Sequence, residues 1–422
     1  MLASYSRTLP LLIGLFIMML AGGLNGSLVG LRAAIEDFST ATIGVVLATQ
    51  SFGFLLGSIF CSKLIKRIGH TRTFALMTAT CSVSSLTLAM YVHPVFWMAL
   101  LLVSGYSFAS LFVIVESWVN EATDNEHRGQ FMAVYVMVSV VGKLGGYVLL
   151  STADADRYTL FALVSILISL AVVPLLMSTN PEPEHDEPGR VNIIGMFKLA
   201  PTGVLGLFLV QSAVGAMNQL GAVYAYRVGL SGFDITIFLA LPQIGAMALL
   251  LPFGALSDRL DRRLVTDIAG SIAAVCFVII PFIFDTYSVL SYGILLVAGG
   301  CLFSIYSIFV AHVNDLADPA ERVSVASTML LVTGVGQAVG PLVTSTIMEV
   351  TNVHGFFFAL AGILIIMVGF ALARIRIRSS LKPQDRESFV AMPQRATPVI
   401  AGTSHRQNDG ADGSKPEPSQ RP

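Results

Sequence analysis

The sequence predicts an all-α membrane protein with twelve transmembrane helices in two pseudo-symmetric six-helix bundles. Composition is the first indication, because 55% of the 422 residues are hydrophobic and only 12% are charged. A soluble domain has about 25% charged residues. The second indication is a set of apolar stretches long enough to cross about 30 Å of hydrocarbon as helices. The third is an internal repeat close to half the length of the chain.

The apolar stretches divide into two sets of six. The first set lies at 9–31, 41–62, 73–92, 95–117, 131–150 and 158–178, and the second at 203–225, 235–257, 265–284, 288–312, 323–348 and 356–373. We therefore expect an N-terminal bundle over 1–178, a cytoplasmic linker over 179–200 and a C-terminal bundle over 201–378. The remainder, 379–422, is rich in Pro, Ser, Gln and Gly, which predicts a disordered cytoplasmic tail.

The repeat is read by shifting the sequence by 194 residues. Val119 to Gly146 then aligns with Val313 to Gly340 without a gap, and eight of the 28 positions are identical. Solenoid repeats have periods of about 20–50 residues, so this period is that of six spans with short loops. Two homologous six-span halves are typical of a secondary transporter.

Basic residues predict the orientation of the chain. With a cytoplasmic N-terminus, 21 of the 25 Lys and Arg residues fall in cytoplasmic segments. Arg32, Arg157 and Arg227 lie on the other side, and Lys143 lies within a span. The positive-inside rule therefore places both termini in the cytoplasm, and we expect a multi-pass protein of the bacterial inner membrane.

A loop motif connects spans 8 and 9. The segment GALSDRLDRRLV (254–265) resembles the G-x-L-x-D-R-x-G-R-R signature of the major facilitator superfamily, with Asp261 in place of the second glycine. The matching residues are Gly254, Asp258, Arg259, Arg262 and Arg263. The first-half copy, SKLIKRIGHTR (62–72), keeps Arg67 and Gly69 but has Lys66 in place of the aspartate. With FVIVESWV in span 4, it resembles the YcaD-like branch of bacterial facilitators.

This resemblance implies a carrier that moves a small solute by alternating access. An aspartate at a helix end beside an arginine cluster could pair across the two halves in one conformation only, which predicts a gating latch. The same spacing of acid and arginine occurs at the ends of spans 4 and 10, as Glu121 with Arg128 and Asp315 with Arg322. It resembles the E-x6-R element of facilitators, and the repetition favours a second latch pair over unrelated loop charges.

Seven polar side chains share one depth near the middle of the membrane. Each lies 15 or 16 residues from the cytoplasmic end of its span, or about 22–24 Å along a helix. They are Asn25, Gln50, Tyr106, Lys143, Asn218, Gln243 and Gln337. A site at the midplane is what alternating access requires, so we expect these residues to line a cavity. The alternative is that single amides join helices by hydrogen bonds.

Lys143 differs from the other six because an ammonium group at the bilayer centre costs at least about 2.5–3.5 kcal/mol. It is expected to bind substrate or to act as a structural counter-charge. A binding role favours a substrate that carries a carboxylate or phosphate.

Glu116 is a carboxylate inside span 4, five residues from Glu121. It could carry a coupling proton, since burial raises the pKa of a carboxyl group, or it could belong to the cytoplasmic latch. Many proton-coupled facilitators have an arginine where this chain has Leu101, four residues before Gly105. That departure counts against coupling.

Other functions fit the sequence less well. No H-E-x-x-H or G-x-S-x-G motif and no metal-binding spacing is present, so neither an enzyme nor a cofactor or metal is predicted. The glycine-rich segments of spans 5 and 11 faintly resemble those of drug antiporters, so a proton-coupled drug or metabolite efflux carrier is the alternative. A membrane sensor or channel is the rival from a different class. We expect a monomer in the lipid bilayer that binds small molecules and no nucleic acid.

Overall fold

A computed structural model describes residues 2–121, 128–177, 191–284, 288–318 and 321–375 of the chain. The predicted tail at 379–422 and most of the predicted linker lie outside these residues. Within them, six helices form the N-terminal bundle: α1 (Leu2–Ile35), α2 (Thr40–Ile68), α3 (His70–Met90), α4 (Pro94–Glu121), α5 (Arg128–Leu150) and α6 (Thr159–Leu176).

A short helix precedes the second bundle. Helix α7 (Ile193–Leu199) lies in the segment predicted as linker, and its N-cap residue Asn192 donates its backbone N–H to Thr328 Oγ1 at 3.0 Å. The second set of long helices is α8 (Pro201–Arg227), α9 (Phe233–Arg259), α10 (Arg262–Ile283), α11 (Ser288–Leu316), α12 (Arg322–Val350) and α13 (Gly355–Ile375).

All twelve predicted spans fall on long helices, one span to each helix. Twelve helices in the described part of the chain are long and apolar enough to cross a membrane. The helices α1–α6 and α8–α13 are their structural counterparts. The predicted fold class is therefore confirmed.

Glycine contacts repeat the pseudo-symmetry at the level of the backbone. In α5 a Cβ at Gly142 or Gly146 would collide with the carbonyl oxygens of α1, and in α12 a Cβ at Gly336 or Gly340 would collide with those of α8. The pairs correspond under the 192- and 194-residue shifts: Gly142–Phe16 with Gly336–Phe208, Gly146–Leu20 with Gly340–Ser212, Gly53–Leu102 with Gly245–Leu296, and Gly105–Gln50 with Gly299–Pro242. Small residues let membrane helices approach this closely.

The two ends of the molecule are named here by their connections. The linker face holds Gly69, the end of α4, helix α7 and the turn between α9 and α10. Gly69 joins α2 to α3 with φ 85°, a backbone angle that glycine adopts without strain. The opposite end holds the C-terminal ends of α1, α3, α5, α8, α10 and α12. We call it the closed face because the two bundles are hydrogen-bonded together there.

Candidate functional site

A polar cluster joins the two bundles at mid-depth. Lys143 of α5 donates from Nζ to Oδ1 of Asn218 on α8 at 2.9 Å, and Nε2 of Gln243 on α9 donates to the same oxygen at 3.1 Å. We call Lys143, Asn218 and Gln243 the midplane cluster. One neutral amide oxygen thus accepts both an ammonium and an amide donor, and the ammonium comes from the other bundle.

The surroundings of Lys143 are suited to a cation. Its side chain is half-buried, and its Nζ lies 5.8 Å from the ring centroid of Tyr147, one turn along α5. That distance is within the range of a cation–π interaction. The backbone carbonyl of Lys143 faces Gly23 of α1, as the carbonyl of Gln337 faces Gly215 of α8. The backbone packing is therefore repeated in both halves, while the side chain is charged in one half only.

The other four predicted cavity residues lie on α1, α2, α4 and α12. Asn25 and Gln337 are buried, whereas Gln50 and Tyr106 are half-buried. Gln50 and Tyr106 lie at the close packing of α2 with α4, where Gly105 and Gly57 contact their backbones. Their assignment to a substrate cavity stays a prediction.

Gln219 was missed by the sequence analysis, although it makes the second contact between the bundles at this depth. Its Nε2 donates to Ser51 Oγ on α2 at 2.7 Å and to the carbonyl of Gln337 on α12 at 3.3 Å. Its Oε1 is buried without a hydrogen-bond partner among the described residues. The available signal was the Asn218-Gln219 dipeptide, since adjacent helical residues can contact different neighbouring helices.

Glu116 is fully buried in the N-terminal bundle. It is 0% exposed, and the Tyr135 hydroxyl of α5 donates to its Oε1 at 2.9 Å. Tyr135 was also not identified from the sequence. By contrast, Glu121 is exposed at the end of α4, so the two carboxylates have different environments although they lie on one helix.

The loop signature of the second half forms a buried ion pair. The Arg262 side chain is 1% exposed and the Asp315 side chain 2%, and Arg262 Nε lies 2.6 Å from Asp315 Oδ2. Arg262 Nη2 reaches Asp315 Oδ1 at 3.4 Å. The predicted partner of Asp315 was Arg322, whose side chain lies outside the described residues, as does that of Arg128. Those two E-x6-R pairings stay predictions.

The remaining latch residues lie around this pair. Asp258 is 39% exposed and lies 3.6 Å from Arg262 Nη1 within its own bundle. Gly254 is buried and accepts a hydrogen bond from Ser257, whereas Arg259 and Arg67 are exposed. Asp261 accepts from the backbone N–H of Arg263 at 3.0 Å and caps α10. That cap gives a physical reason for an aspartate where the facilitator signature has glycine.

Two pseudo-symmetric six-helix bundles joined through a polar midplane cluster define a secondary transporter rather than an enzyme. A family model described as Major Facilitator Superfamily matches residues 11–332. The chain belongs to this superfamily.

Its relatives place it near the YcaD-like branch, as the loop motif indicated. An uncharacterized MFS-type transporter of Enterobacter sp. (strain 638) is 27% identical over 365 residues, which are 86% of this chain and 94% of that protein. The MFS-type transporter YcaD of Escherichia fergusonii is 26% identical over 385 residues, which are 89% of this chain and 98% of that protein.

Solved structures show the same fold. The nucleoside transporter NupG has a TM-score of 0.71 at 15% identity, covering 88% of this chain and 100% of that chain. A bacterial homolog to the human lysosomal transporter Spinster, in an inward-facing and occupied conformation, has a TM-score of 0.70 at 15% identity, covering 89% and 98%. At this identity the likeness concerns the fold alone.

Proposed function

We propose that this transporter carries a small anionic solute, with a carboxylate or phosphate group, across the bacterial inner membrane by alternating access. The observation that carries the proposal is the convergence of Lys143 Nζ and Gln243 Nε2 on one oxygen of Asn218. An anionic oxygen in that place would accept both donors. Hydrogen bonds to ionised groups are about twice as strong as neutral ones, so a carboxylate or phosphate would compete with the amide.

The position of the donors supports alternating access. Lys143 belongs to one bundle and Gln243 to the other, so a bound anion would contact both halves. A ligand shifts a conformational equilibrium only through different affinities for its states. Donors on both bundles meet this condition, because rocking changes their separation.

The test is a thermal-stabilisation screen of purified protein with small carboxylates, phosphates and matched neutral analogues. Ligand binding raises the melting temperature by mass action. We expect stabilisation by at least one anion, and its loss in Lys143→Gln. That variant copies Gln337, its counterpart in the other half, and removes a charge from the membrane, so it should insert at least as well as the wild type.

Lys63→Gln is the matched control. Lys63 is exposed, and its Nζ also lies over an aromatic ring, 5.1 Å from the centroid of Phe60, but near the linker face. This variant should keep the stabilisation. Normal anion binding by Lys143→Gln, or ligands that are all cationic, would make Lys143 a structural residue and reject an anionic substrate.

Proton coupling is the second proposal, and the burial of Glu116 favours it. A carboxylate that is 0% exposed and hydrogen-bonded by Tyr135 is suited to exist in protonated and ionised forms during a transport cycle. With an anion from the screen, substrate-driven proton flux into pyranine-filled liposomes should vanish in Glu116→Gln. It should persist in Glu121→Gln, which changes an exposed carboxylate on the same helix.

A second buried carboxylate provides an alternative carrier. Asp267 of α10 is 3% exposed. Proton flux that survives Glu116→Gln but is lost in Asp267→Asn would assign coupling to the C-terminal bundle, and flux absent from the wild type would reject coupling altogether.

We also propose that the linker face is cytoplasmic, so that the closed face is the outer one. The distribution of Lys and Arg supports this. Reporter fusions at Pro183 and Gln384 should be active only with a cytoplasmic reporter enzyme. A periplasmic signal at either position would reject this orientation.

A further inference from the structure

The closed face contains a cross-bundle contact that caps a helix. The first turn of α2 has backbone N–H groups without a partner in their own helix, as every helix N-terminus has. Ser39 Oγ accepts from the N–H of Thr42 at 3.2 Å. The two N–H groups before it are bonded from the other bundle: Glu349 Oε2 of α12 accepts from Thr40 N at 2.7 Å and from Ala41 N at 3.3 Å.

Arg227 binds the same turn from a second helix of the C-terminal bundle. It lies at the end of α8, donates from Nη2 to the carbonyl of Phe38 at 2.9 Å, and donates from Nη1 to Thr40 Oγ1. The turn therefore presents acceptors to the arginine and donors to the glutamate. The charges match, since a carboxylate is stabilised at the positive end of a helix.

The part of this contact that the C-terminal bundle contributes is anchored by buried aromatic side chains. Tyr224, one turn before Arg227, is fully buried and stacks on Phe356 at 5.0 Å and on Phe238 at 5.5 Å. The interface continues inward from Glu349 to Ser345, one turn along α12. Ser345 is fully buried, and a Cβ at Gly44 of α2 would collide with it.

We propose that Glu349 and Arg227 form a gate at the closed face that holds the N-terminus of α2 against α8 and α12. In the closed state Glu349 completes the cap of α2, and when the bundles separate those N–H groups pass to water. The gate thus stabilises the state that is shut at this face. Its contacts need neither a bound substrate nor the loop signature of the linker face.

The experiment measures opening of the gate with a single reporter cysteine in the protein lacking Cys61, Cys81, Cys276 and Cys301. Ser345→Cys places a thiol in the buried interface, and its alkylation rate reports separation of α2 from α12. Purified protein in lipid nanodiscs exposes both faces, so the result does not depend on orientation. Folding of every variant is checked by gel filtration and thermal melting.

Glu349→Gln should raise the alkylation rate roughly two- to fivefold, as expected for loss of a carboxylate at a helix N-terminus. Glu349→Lys should raise it more, because the new cation is repelled both by that helix end and by Arg227. Glu36→Lys is the matched control: Glu36 lies at the same face, just after the end of α1, but its ion pair is with Arg32 of the same bundle. The control should leave the rate unchanged.

A second reporter distinguishes opening of the whole gate from local fraying. Thr236 of α9 is 2% exposed and donates to the carbonyl of Tyr147 at 2.8 Å, a separate contact between the bundles. Glu349→Lys should increase alkylation of Thr236→Cys as well. A response of Ser345→Cys alone would show that Glu349 only holds the end of α2. Equal rates in Glu349→Lys and Glu36→Lys would reject the gate.

Discussion

Lys143 of α5 and Asn218 of α8 are joined by a 2.9 Å hydrogen bond that crosses from one bundle to the other. Gln243 shares the same acceptor, so three side chains on three helices meet at one oxygen. Hydrogen bonds are directional and act over a short range. Movement of one bundle against the other therefore changes this contact, which links the charge of Lys143 to the conformation of the protein.

Replacing Asn218 with Asp should oppose anion binding. A carboxylate beside the ammonium forms an ion pair, so a substrate anion must displace a charged acceptor instead of a neutral one. We expect affinity for the stabilising anion to fall roughly tenfold or more, since hydrogen bonds to charged groups contribute about 1.5–3 kcal/mol. Binding is measured by thermal shift across a ligand titration.

Asn25→Asp is the control for Asn218→Asp, because Asn25 is a buried amide of α1 at the same predicted depth. It adds the same charge but has no described hydrogen bond to the midplane cluster. Undiminished binding by Asn218→Asp, or an equal loss in Asn25→Asp, would show that the Lys143–Asn218 contact does not set the affinity.

The buried ion pair between Arg262 and Asp315 should be strongly coupled. Arg262→Met or Asp315→Leu alone leaves one buried charge without this partner, which costs about 3–5 kcal/mol. The double variant removes both charges and should recover much of that loss. Unfolding in SDS, followed by circular dichroism, measures the free energies, and additive effects of the two substitutions would contradict the coupling.

Asp258 should affect transport more than stability. It is partly exposed and lies 3.6 Å from Arg262 in its own bundle, and its predicted contact with the other half would form in one conformation only. Asp258→Asn should lower turnover while the protein still inserts and folds. Lys66 occupies the corresponding first-half position, so Lys66→Ala should matter less. A more damaging Lys66→Ala would place the latch in the first half.

The cap of α10 should make a contribution to stability that depends on pH. Burial alone would raise the pKa of Asp261, but the hydrogen bonds and charge of Arg263 lower it overall. A lowered pKa in the folded state gives a contribution that is present above the unfolded pKa of about 3.9 and lost as pH falls below it. Asp261→Ala should cost about 1 kcal/mol at neutral pH, and that difference should shrink below roughly pH 4.

Asp261→Asn serves as the control for the cap, because asparagine also caps helices well but does not titrate. Its stability should stay close to that of the wild type at neutral pH. Its free energy of unfolding relative to Asp261→Ala should stay constant in acid. Melting curves between pH 3 and 8 compare the three proteins.

The sequence by itself determined the twelve spans, the two halves and the superfamily. Apolar length gave the spans, the repeat at a shift of 194 residues gave the two halves, and the loop signature at 254–265 gave the superfamily. The same reasoning placed Lys143, Asn218 and Gln243 at one depth, because the rise of a helix is constant. Depth could be counted along one helix without knowledge of its neighbours.

Only the tertiary structure decided which side chains meet. Depth does not give rotation about the helix axis or the partner helix, so Gln219 and Ser51 were missed. The contact of Asp315 with Arg262 was not predicted either. The closed-face gate was equally hidden, since Glu349 and Thr40 lie 309 positions apart in sequence. Contacts between bundles depend on how two rigid bodies pack in one conformation, and no local pattern in the chain encodes that arrangement.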